Sequence, residues 1–201
     1  MPFFSVIISY YQPVQSDEVA QRLLDSLKNQ SFKDFEVIFV HDGPLTRRLG
    51  LDSDGLNFKL YTSLVRENKW GHNCRDIGIK KSTGTYLLIT NADNVYYDSL
   101  QSIHDVIVKS GFKEFYTTQV KMMGMHSHIS YDKPRNYNIH HVLDGTVAFC
   151  RIDLMQLIIR GDVLRKTGWW DLREQSDGII AETLAKKFNY IKMKVMIGEH
   201  Y

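Results

Sequence analysis

The chain has 201 residues, of which 43% are hydrophobic and 24% are charged, and its formal net charge is +2 at pH 7. This length is enough for one domain with a core of its own, and the composition is ordinary for a soluble globular protein. A charge this close to zero gives no general attraction to nucleic acid or to an acidic membrane, so we expect neither as a partner.

No apolar run approaches the roughly 20 residues that a membrane-spanning helix needs. The first residues also lack the basic start and the apolar stretch of a signal peptide. The two cysteines, Cys74 and Cys150, are too few for a disulfide scaffold and form no CxxC pair. We interpret both as reduced thiols, which predicts a cytoplasmic location. The chain ends just after a predicted strand, so the sequence is compatible with further domains of a longer protein.

The first part of the chain predicts a strand, a helix and a second strand. Residues 4–10 and 35–40 are short apolar runs rich in β-branched side chains, which indicates strands that are buried on both faces. Ser16 is the predicted N-cap of the helix between them, whose apolar stripe ends near Gln30. This order predicts a right-handed crossover and a parallel sheet.

The later segments predict further alternation of strands and helices. Strands are predicted at residues 59–64, 86–90, 115–123, 146–150 and 190–197, helices at 72–82, 162–166 and 178–188, and long loops at 46–58 and 124–145. Gly84 is the predicted stop signal of one helix, and Asp98 is the predicted cap of another. No repeat or linker divides the chain, and we therefore predict a single domain over residues 1–201.

Polar residues follow three of the predicted buried strands. They are Ser9, Tyr10 and Tyr11, then His41, Asp42 and Gly43, and then Asn91, Ala92, Asp93 and Asn94. In open α/β sheets, ligands bind beyond the carboxyl ends of the strands. The chain has neither GxxxxGK[ST] nor GxGxxG, which argues against P-loop ATPases and standard nicotinamide-binding folds.

Several short motifs also follow one another along the chain. They are Ser5-Val6-Ile7-Ile8, Asp42-Gly43, the run from Arg66 to Gly78, Ser82-Thr83-Gly84-Thr85-Tyr86-Leu87, Asn91-Ala92-Asp93, Gly168-Trp169-Trp170-Asp171 and Ser176-Asp177-Gly178. In order and spacing they resemble the family 2 glycosyltransferases over roughly residues 4–185. The resemblance implies an α/β, Rossmann-like GT-A fold with a mostly parallel central sheet and helices on both faces.

The resemblance also implies a binding site for a nucleotide-sugar donor in residues 1–95. Its residues would be Ser9, Tyr11, Asp42, Asn68, Arg75, Asn91, Ala92 and Asp93. Asp42 would accept a hydrogen bond from N3–H of a uracil, which favours a UDP-linked sugar. Tyr11 would stack on the base, and Asn91 would contact the ribose.

Residues 96–201 would bind a carbohydrate or glycoconjugate acceptor. Asp177 would be the general base, and one of the adjacent residues Trp169 and Trp170 would stack on the acceptor. A Mn²⁺ or Mg²⁺ ion would be held by Asp93, with His200 after the last predicted strand as a second ligand and Glu199 as a competitor for that role. A divalent cation neutralises the charge that a leaving nucleoside diphosphate gathers. A carboxylate on the opposite face of the sugar takes the proton of the attacking hydroxyl, so the resemblance implies inversion.

Two departures from the family pattern leave alternatives open. His41 and Asn91 stand where the family commonly has the first carboxylate of its two acidic motifs. A catalytically degenerate module that binds nucleotide or glycan therefore stays an alternative, as does a sugar nucleotidyltransferase, although residues 9–13 contain no glycine for a phosphate loop. Asp42 could be a turn residue and Asp177 a helix cap.

Overall fold

The computed structural model describes residues 1–123, 141–149 and 151–201. Its first half contains β1 (Phe4–Tyr10), α1 (Asp17–Lys28), β2 (Phe35–His41), β3 (Phe58–Thr62), α2 (His72–Lys81) and β4 (Tyr86–Asn91). Every residue of β1 and β2 is buried, as their continuous apolar runs predicted. These two strands and β4 form the centre of the fold.

The second half contains β5 (Val95–Tyr96), α3 (Leu100–Ser110), β6 (Phe115–Met122), β7 (His141–Leu143), β8 (Leu157–Arg160), α4 (Gly161–Thr167), α5 (Ser176–Lys187) and β9 (Ile191–His200). A single turn of 3-10 helix, Leu154–Gln156, leads into β8. Among the described residues, no helix combines the length and the apolar character that crossing a bilayer requires.

All of these strands join one sheet, in the order β3-β2-β1-β4-β8-β6-β9-β5, with β7 paired to β6. The part built from β1 to β4 is parallel, as the βαβ pattern predicted. The second half is mixed, because β8 runs antiparallel between β4 and β6 while β9 pairs parallel with β6. The parallel part brings the carboxyl ends of β1, β2 and β4 to one edge of the sheet.

Helices cover both faces of the sheet. On one face, Leu23 and Leu24 of α1 and Ile103 of α3 are fully buried against the strands. On the other face, Ile79 of α2 and Ile180 of α5 are buried in a second cluster. Strand residues alternate between the two clusters, because successive side chains of a strand point to opposite faces. The prediction of helices on both faces is therefore confirmed.

The start of α1 follows the prediction, whereas the start of α3 does not. The Ser16 side chain accepts a hydrogen bond from the backbone N–H of Val19 at 3.3 Å, which is the predicted N-cap. Asp98, however, is not the cap of α3, since Ser99 occupies that position. The Asp98 carboxylate instead accepts hydrogen bonds from the backbone N–H and the hydroxyl of Ser31 at 2.8 and 2.9 Å.

The strand predicted at residues 146–150 is wrong for the residues that the structure describes. Residues 146–149 form no strand, and side chains accept hydrogen bonds from the backbone N–H groups of Val147 and Phe149. The hydroxyl of Tyr190 accepts from Val147 at 3.4 Å, and the carboxylate of Glu182 accepts from Phe149 at 2.8 Å. The antiparallel strand lies at β8, and β7 falls within the predicted loop at 124–145. Residues 124–140 and Cys150 lie outside the described residues.

Candidate functional site

The carboxyl ends of β1, β2 and β4 open onto a cavity of about 460 Å³. The predicted site residues that line it are Ser9, Tyr11, Asp42, Asn68, Arg75, Asn91, Asp177 and His200. These residues come from both halves of the chain, so the fold brings the predicted donor side and the predicted base to one cavity. Asp153, Glu174 and Trp70 also line it, although the sequence had not pointed to them.

Ser9, Asn91 and Arg75 form the floor of the cavity. Ser9 and Asn91 are paired across β1 and β4, and the Ser9 hydroxyl donates to Asn91 Oδ1 at 2.8 Å. The Arg75 guanidinium approaches the same oxygen at 3.4 Å. Burial lowers the pKa of Arg75 to about 10, partly offset by Asp177 and Asp153, so the side chain keeps its positive charge at neutral pH. A buried cation at this place is suited to an anionic ligand.

Asp42 is buried beside the cavity and organises the loop that follows β3. Its two carboxylate oxygens accept hydrogen bonds from the backbone N–H groups of Glu67 and Asn68, each at 3.0 Å. Asp42 is therefore more than a turn residue. A carboxylate has about four lone-pair positions, so these two bonds leave acceptor capacity for a ligand.

His41 explains one departure from the family pattern. Its Nδ1 lies 2.7 Å from the carbonyl oxygen of Gly43, and its Nε2 lies 3.2 Å from the backbone nitrogen of Gln12. Because the carbonyl can only accept and the N–H can only donate, the imidazole is neutral and carries its proton on Nδ1. His41 thus joins the segments that follow β1 and β2, in place of a carboxylate.

Two carboxylates lie close together at the side of the cavity that the second half contributes. Burial, together with the negative charge of Asp153, raises the pKa of Asp177 to about 6. Asp177 lies in the first turn of α5, but Gln175 is its N-cap, so the cap interpretation is wrong. Asp153 caps the 3-10 helix in a capping box with Gln156. That Asp-x-x-Gln spacing is the signal in the sequence that could have pointed to Asp153.

Of the predicted metal ligands, His200 interacts electrostatically with Asp153, Asp177 and the other predicted ligand, Asp93. Asp93 Oδ1 is shielded from solvent and has no hydrogen-bond partner within the described part of the chain. His200 Nδ1 lies 3.0 Å from Asp153 Oδ2. Burial disfavours the charged imidazole, but Asp153, Asp93 and Asp177 outweigh it and raise the pKa of His200 to about 9. Glu199, the competing ligand, instead accepts from the Tyr97 hydroxyl at 2.7 Å.

Four of the predicted site residues do not line this cavity, namely Ala92, Asp93, Trp169 and Trp170. Ala92 is fully buried in the core, and only its backbone lies at the end of β4. Trp169 is 4% exposed, and its indole N–H donates to His72 Nδ1 at 3.2 Å. One of the two adjacent tryptophans was expected to face an acceptor and the other to be in the core, and packing between α2 and the 169–176 segment buries the ring of Trp169. Trp170 keeps an exposed face.

The loop of residues 66–71 contributes the predicted residue Asn68 to the cavity, together with Trp70 and Gly71, for which no role was predicted. Asn68 and Trp70 have φ angles of 50° and 46°, in the left-handed region, and Gly71 has φ 78°. Each non-glycine residue there costs on the order of 1–3 kcal/mol, so the surrounding hydrogen bonds must hold the loop. A Cβ at Gly71 would lie 2.9 Å from the Ser9 hydroxyl oxygen, so glycine allows the loop to approach β1.

Solved structures share this fold. A fragment of S. aureus TarS, residues 1–349, in complex with UDP matches with a TM-score of 0.70 and 18% identity, over 98% of this chain and 60% of that one. The mannosyltransferase PcManGT from Pyrobaculum calidifontis, in complex with GDP-Man and Mn²⁺, matches with a TM-score of 0.69 and 16% identity, over 99% of this chain and 56% of that one. These identities establish the fold alone, which is the predicted GT-A fold.

The present chain spans about 58% of the length of the first TarS fragment that it matches. A search of curated protein sequences found no significant match. The family model described as Glycosyl transferase family 2, however, matches residues 5–153. This range contains β1 to β4 and, except for Asp177 and His200, the predicted residues that line the cavity. On the match of its sequence and the agreement of its fold, the chain belongs to glycosyl transferase family 2.

Proposed function

We propose that the chain transfers a sugar from a UDP-linked donor to a hydroxyl group of a glycan or other acceptor and inverts the anomeric centre. The main support for this proposal is the set of charged residues that line one cavity. The buried cation of Arg75 and the carboxylate of Asp42 line it together with Asp177, a carboxylate of raised pKa. The similar TarS structure binds UDP, which supports a uridine donor.

Asp177 is the proposed general base. The acceptor hydroxyl oxygen attacks the anomeric carbon, its proton passes to the Asp177 carboxylate, and the bond to the diphosphate oxygen breaks. A base whose pKa lies near 6 is ionised at neutral pH and still has a useful affinity for a proton. Arg75 stabilises the negative charge that collects on the leaving nucleoside diphosphate.

The residues present are compatible with a divalent cation. Asp93 offers a buried carboxylate oxygen without a partner among the described residues. Mg²⁺ is usually held by one or two carboxylates together with substrate phosphates and water, so a large protein cluster is not required. Asp153 lies behind His200 Nδ1 as carboxylates do behind metal-binding histidines, and a cation bound at Nε2 would displace the proton that the raised pKa keeps on the imidazole at neutral pH. A bound Mn²⁺ or Mg²⁺ would neutralise charge on the diphosphate.

The second half of the chain is the part that we expect to bind the acceptor. We assign donor binding to residues 1–95 and acceptor binding to residues 96–201, because Glu174 and Asp177 line the cavity from the second half. Trp170, with 38% exposure, remains a candidate surface for an acceptor sugar. The acceptor would be a carbohydrate or glycoconjugate, in keeping with the family.

A thermal-shift panel tests the donor site. UDP, GDP, dTDP and CMP are each added with and without Mn²⁺, because a ligand that binds only the native state raises its melting temperature. We expect the largest shift with UDP, and we expect Asp93→Ala to abolish the part of that shift that depends on Mn²⁺. The control Asp98→Ala, which alters an exposed carboxylate bound to Ser31, should keep the full shift.

Different outcomes separate the alternatives. Absence of a shift with every nucleotide at millimolar concentration would contradict a donor site. A shift with UDP but no sugar transfer to any acceptor would favour the degenerate binding module. Formation of a sugar nucleotide from a nucleoside triphosphate and a sugar phosphate would favour the nucleotidyltransferase.

A further inference from the structure

The cavity has an exposed aromatic residue in addition to the predicted Tyr11. Trp70 lines the cavity and is 60% exposed. The other aromatic rings that line it within the described residues are those of Tyr10 and Tyr11. Tyr10 is buried, and its hydroxyl donates to Asp17 at 2.6 Å. The guanidinium of Arg66 lies 4.0 Å from the centroid of the Tyr11 ring and covers one of its faces. Trp70 therefore offers the most accessible π surface of the three.

The loop holds Trp70 in a defined position. Trp70 has φ 46°, a conformation that is rare for a bulky residue. On its N-terminal side, the backbone N–H of Asn68 donates to Asp42 Oδ2 at 3.0 Å. On its C-terminal side, the backbone N–H of His72 donates to the carbonyl oxygen of Lys69 at 2.9 Å. The indole is thus presented by a strained loop that the cavity residue Asp42 itself stabilises.

We propose that Trp70, and not Tyr11, supplies the aromatic surface on which the nucleobase of the donor stacks. This inference rests on the proposed function. Asp42 and Asn68, which we expect at the edge of the base, are joined to each other by a hydrogen bond, and Trp70 follows Asn68 by two residues in the same loop. A base whose edge is bound by Asp42 would have its flat face beside this loop.

Substitution of Trp70 should weaken nucleotide binding by the amount that stacking contributes. Loss of an aromatic stacking partner lowers affinity by about 5- to 150-fold per base. We expect Trp70→Ala to raise the Kd for UDP within this range and Trp70→Phe to recover part of the loss. Both variants have the same backbone constraint at this position. The difference between their Kd values for UDP therefore measures the effect of the aromatic ring and not of a change in the loop.

Uridine without phosphate distinguishes the base from the diphosphate. If Trp70 stacks on the base, the Kd for uridine and the Kd for UDP should rise by the same factor in Trp70→Ala. Tryptophan fluorescence gives a second readout, because the chain has 3 tryptophans and Trp169 is buried. UDP should quench the emission of the native chain and of the control Trp170→Ala, and should quench Trp70→Phe much less.

The failure of this inference is distinguishable from the failure of the proposed function. If the native chain binds UDP and Trp70→Ala binds it equally well, the stacking role of Trp70 is wrong while the donor site stands. If Trp70→Ala keeps the Kd for UDP and raises only the KM for the acceptor, Trp70 belongs to the acceptor side, and the inference is overturned. If the native chain binds no nucleotide, the proposed function fails first.

Discussion

Asp177 shows how neighbours determine the chemistry of a single side chain. An aspartate in the first turn of a helix is expected to be strongly acidic, since the helix dipole favours its charge. Here burial and the nearby charge of Asp153 have the larger effect and raise its pKa to about 6. Keeping this carboxylate ionised destabilises the fold, and under the proposed mechanism the same raised pKa favours transfer of a proton to Asp177.

Asp177→Asn should therefore abolish activity and stabilise the protein. The folded-state pKa lies above the ordinary value of 3.8, so the stabilising contribution of Asp177 is complete below that value and is lost as pH rises through about 6. At pH 7 the ionised group costs up to about 3 kcal/mol, which a neutral amide would avoid. We expect transfer to fall by about 10²- to 10⁴-fold and the melting temperature at pH 7 to rise.

Both effects can be measured on one preparation, by sugar transfer and by thermal unfolding at pH 5 and pH 7. The gain in melting temperature should be smaller at pH 5, where the native Asp177 is already mostly protonated. Asp54→Asn, at an exposed position outside the cavity, is the matched control and should change neither property. Near-normal transfer by Asp177→Asn would remove Asp177 as the base.

At the scale of elements, a buried carboxylate near the amino end of β2 joins neighbouring strands at the edge of the sheet opposite the cavity. Glu36 is fully buried, and it accepts hydrogen bonds from the Ser5 hydroxyl on β1 and from Lys59 Nζ on β3, each at 2.6 Å. It also accepts from the backbone N–H of Thr83, at the turn that leads into β4. One side chain thus holds together the amino ends of β1, β2 and β3 and the turn that precedes β4.

Glu36→Gln should destabilise the fold by about 2–4 kcal/mol, because Lys59 loses its counter-charge and one amide group replaces an acceptor of several bonds. Burial disfavours the charge, but Lys59, Ser5 and Thr83 outweigh it and lower the pKa of Glu36 to about 2. The contribution of the ionised Glu36 carboxylate to the stability of the fold is therefore present above pH 4.5 and is lost as pH falls toward 2.

Urea unfolding of the native chain and of Glu36→Gln should show a difference in the free energy of unfolding at pH 7, and this difference should be smaller at pH 3. Glu18→Gln is the control, since Glu18 is exposed in the first turn of α1 and its substitution should leave the free energy of unfolding nearly unchanged at both pH values. An equal difference in the free energy of unfolding at both pH values would show that the charge of Glu36 is not the reason for the lower stability of the variant.

At the scale of the whole molecule, the two proposed functional halves share one sheet. β4 of the first half pairs with β8 of the second, and β5 pairs with β9. The same core cluster contains Val6 from β1 and Ile197 from β9. Neither half can bury its apolar surface alone, so the division is one of binding roles and not of folding units.

Residues 1–95 and 96–201, produced separately, should therefore lack a cooperative thermal transition, whereas the full chain should unfold in one step. Circular dichroism during heating measures both, with UDP added to detect a binding-competent fragment. A cooperative transition in the 1–95 fragment alone would show that the first half is an independent domain, contrary to this expectation.

Much of the donor side followed from the sequence. The apolar runs of β1, β2 and β4 predicted buried parallel strands, and parallel strands place their carboxyl ends at one edge. Ser9, Asp42 and Asn91 therefore had to lie together, and they do line one cavity. The prediction succeeded because it needed only the apolar pattern within each segment and the geometry that all parallel strands share.

Other features were decided only by tertiary structure. The pairing of Asp153 with His200, the burial of Trp169 and the insertion of β8 between β4 and β6 join segments that are distant along the chain. No local pattern specifies such contacts, because they depend on which surfaces remain to be covered after the central strands have packed. The sequence by itself thus determined the parallel part of the sheet and the edge that opens onto the cavity, while packing of the second half determined the surroundings, and hence the acidity, of Asp177.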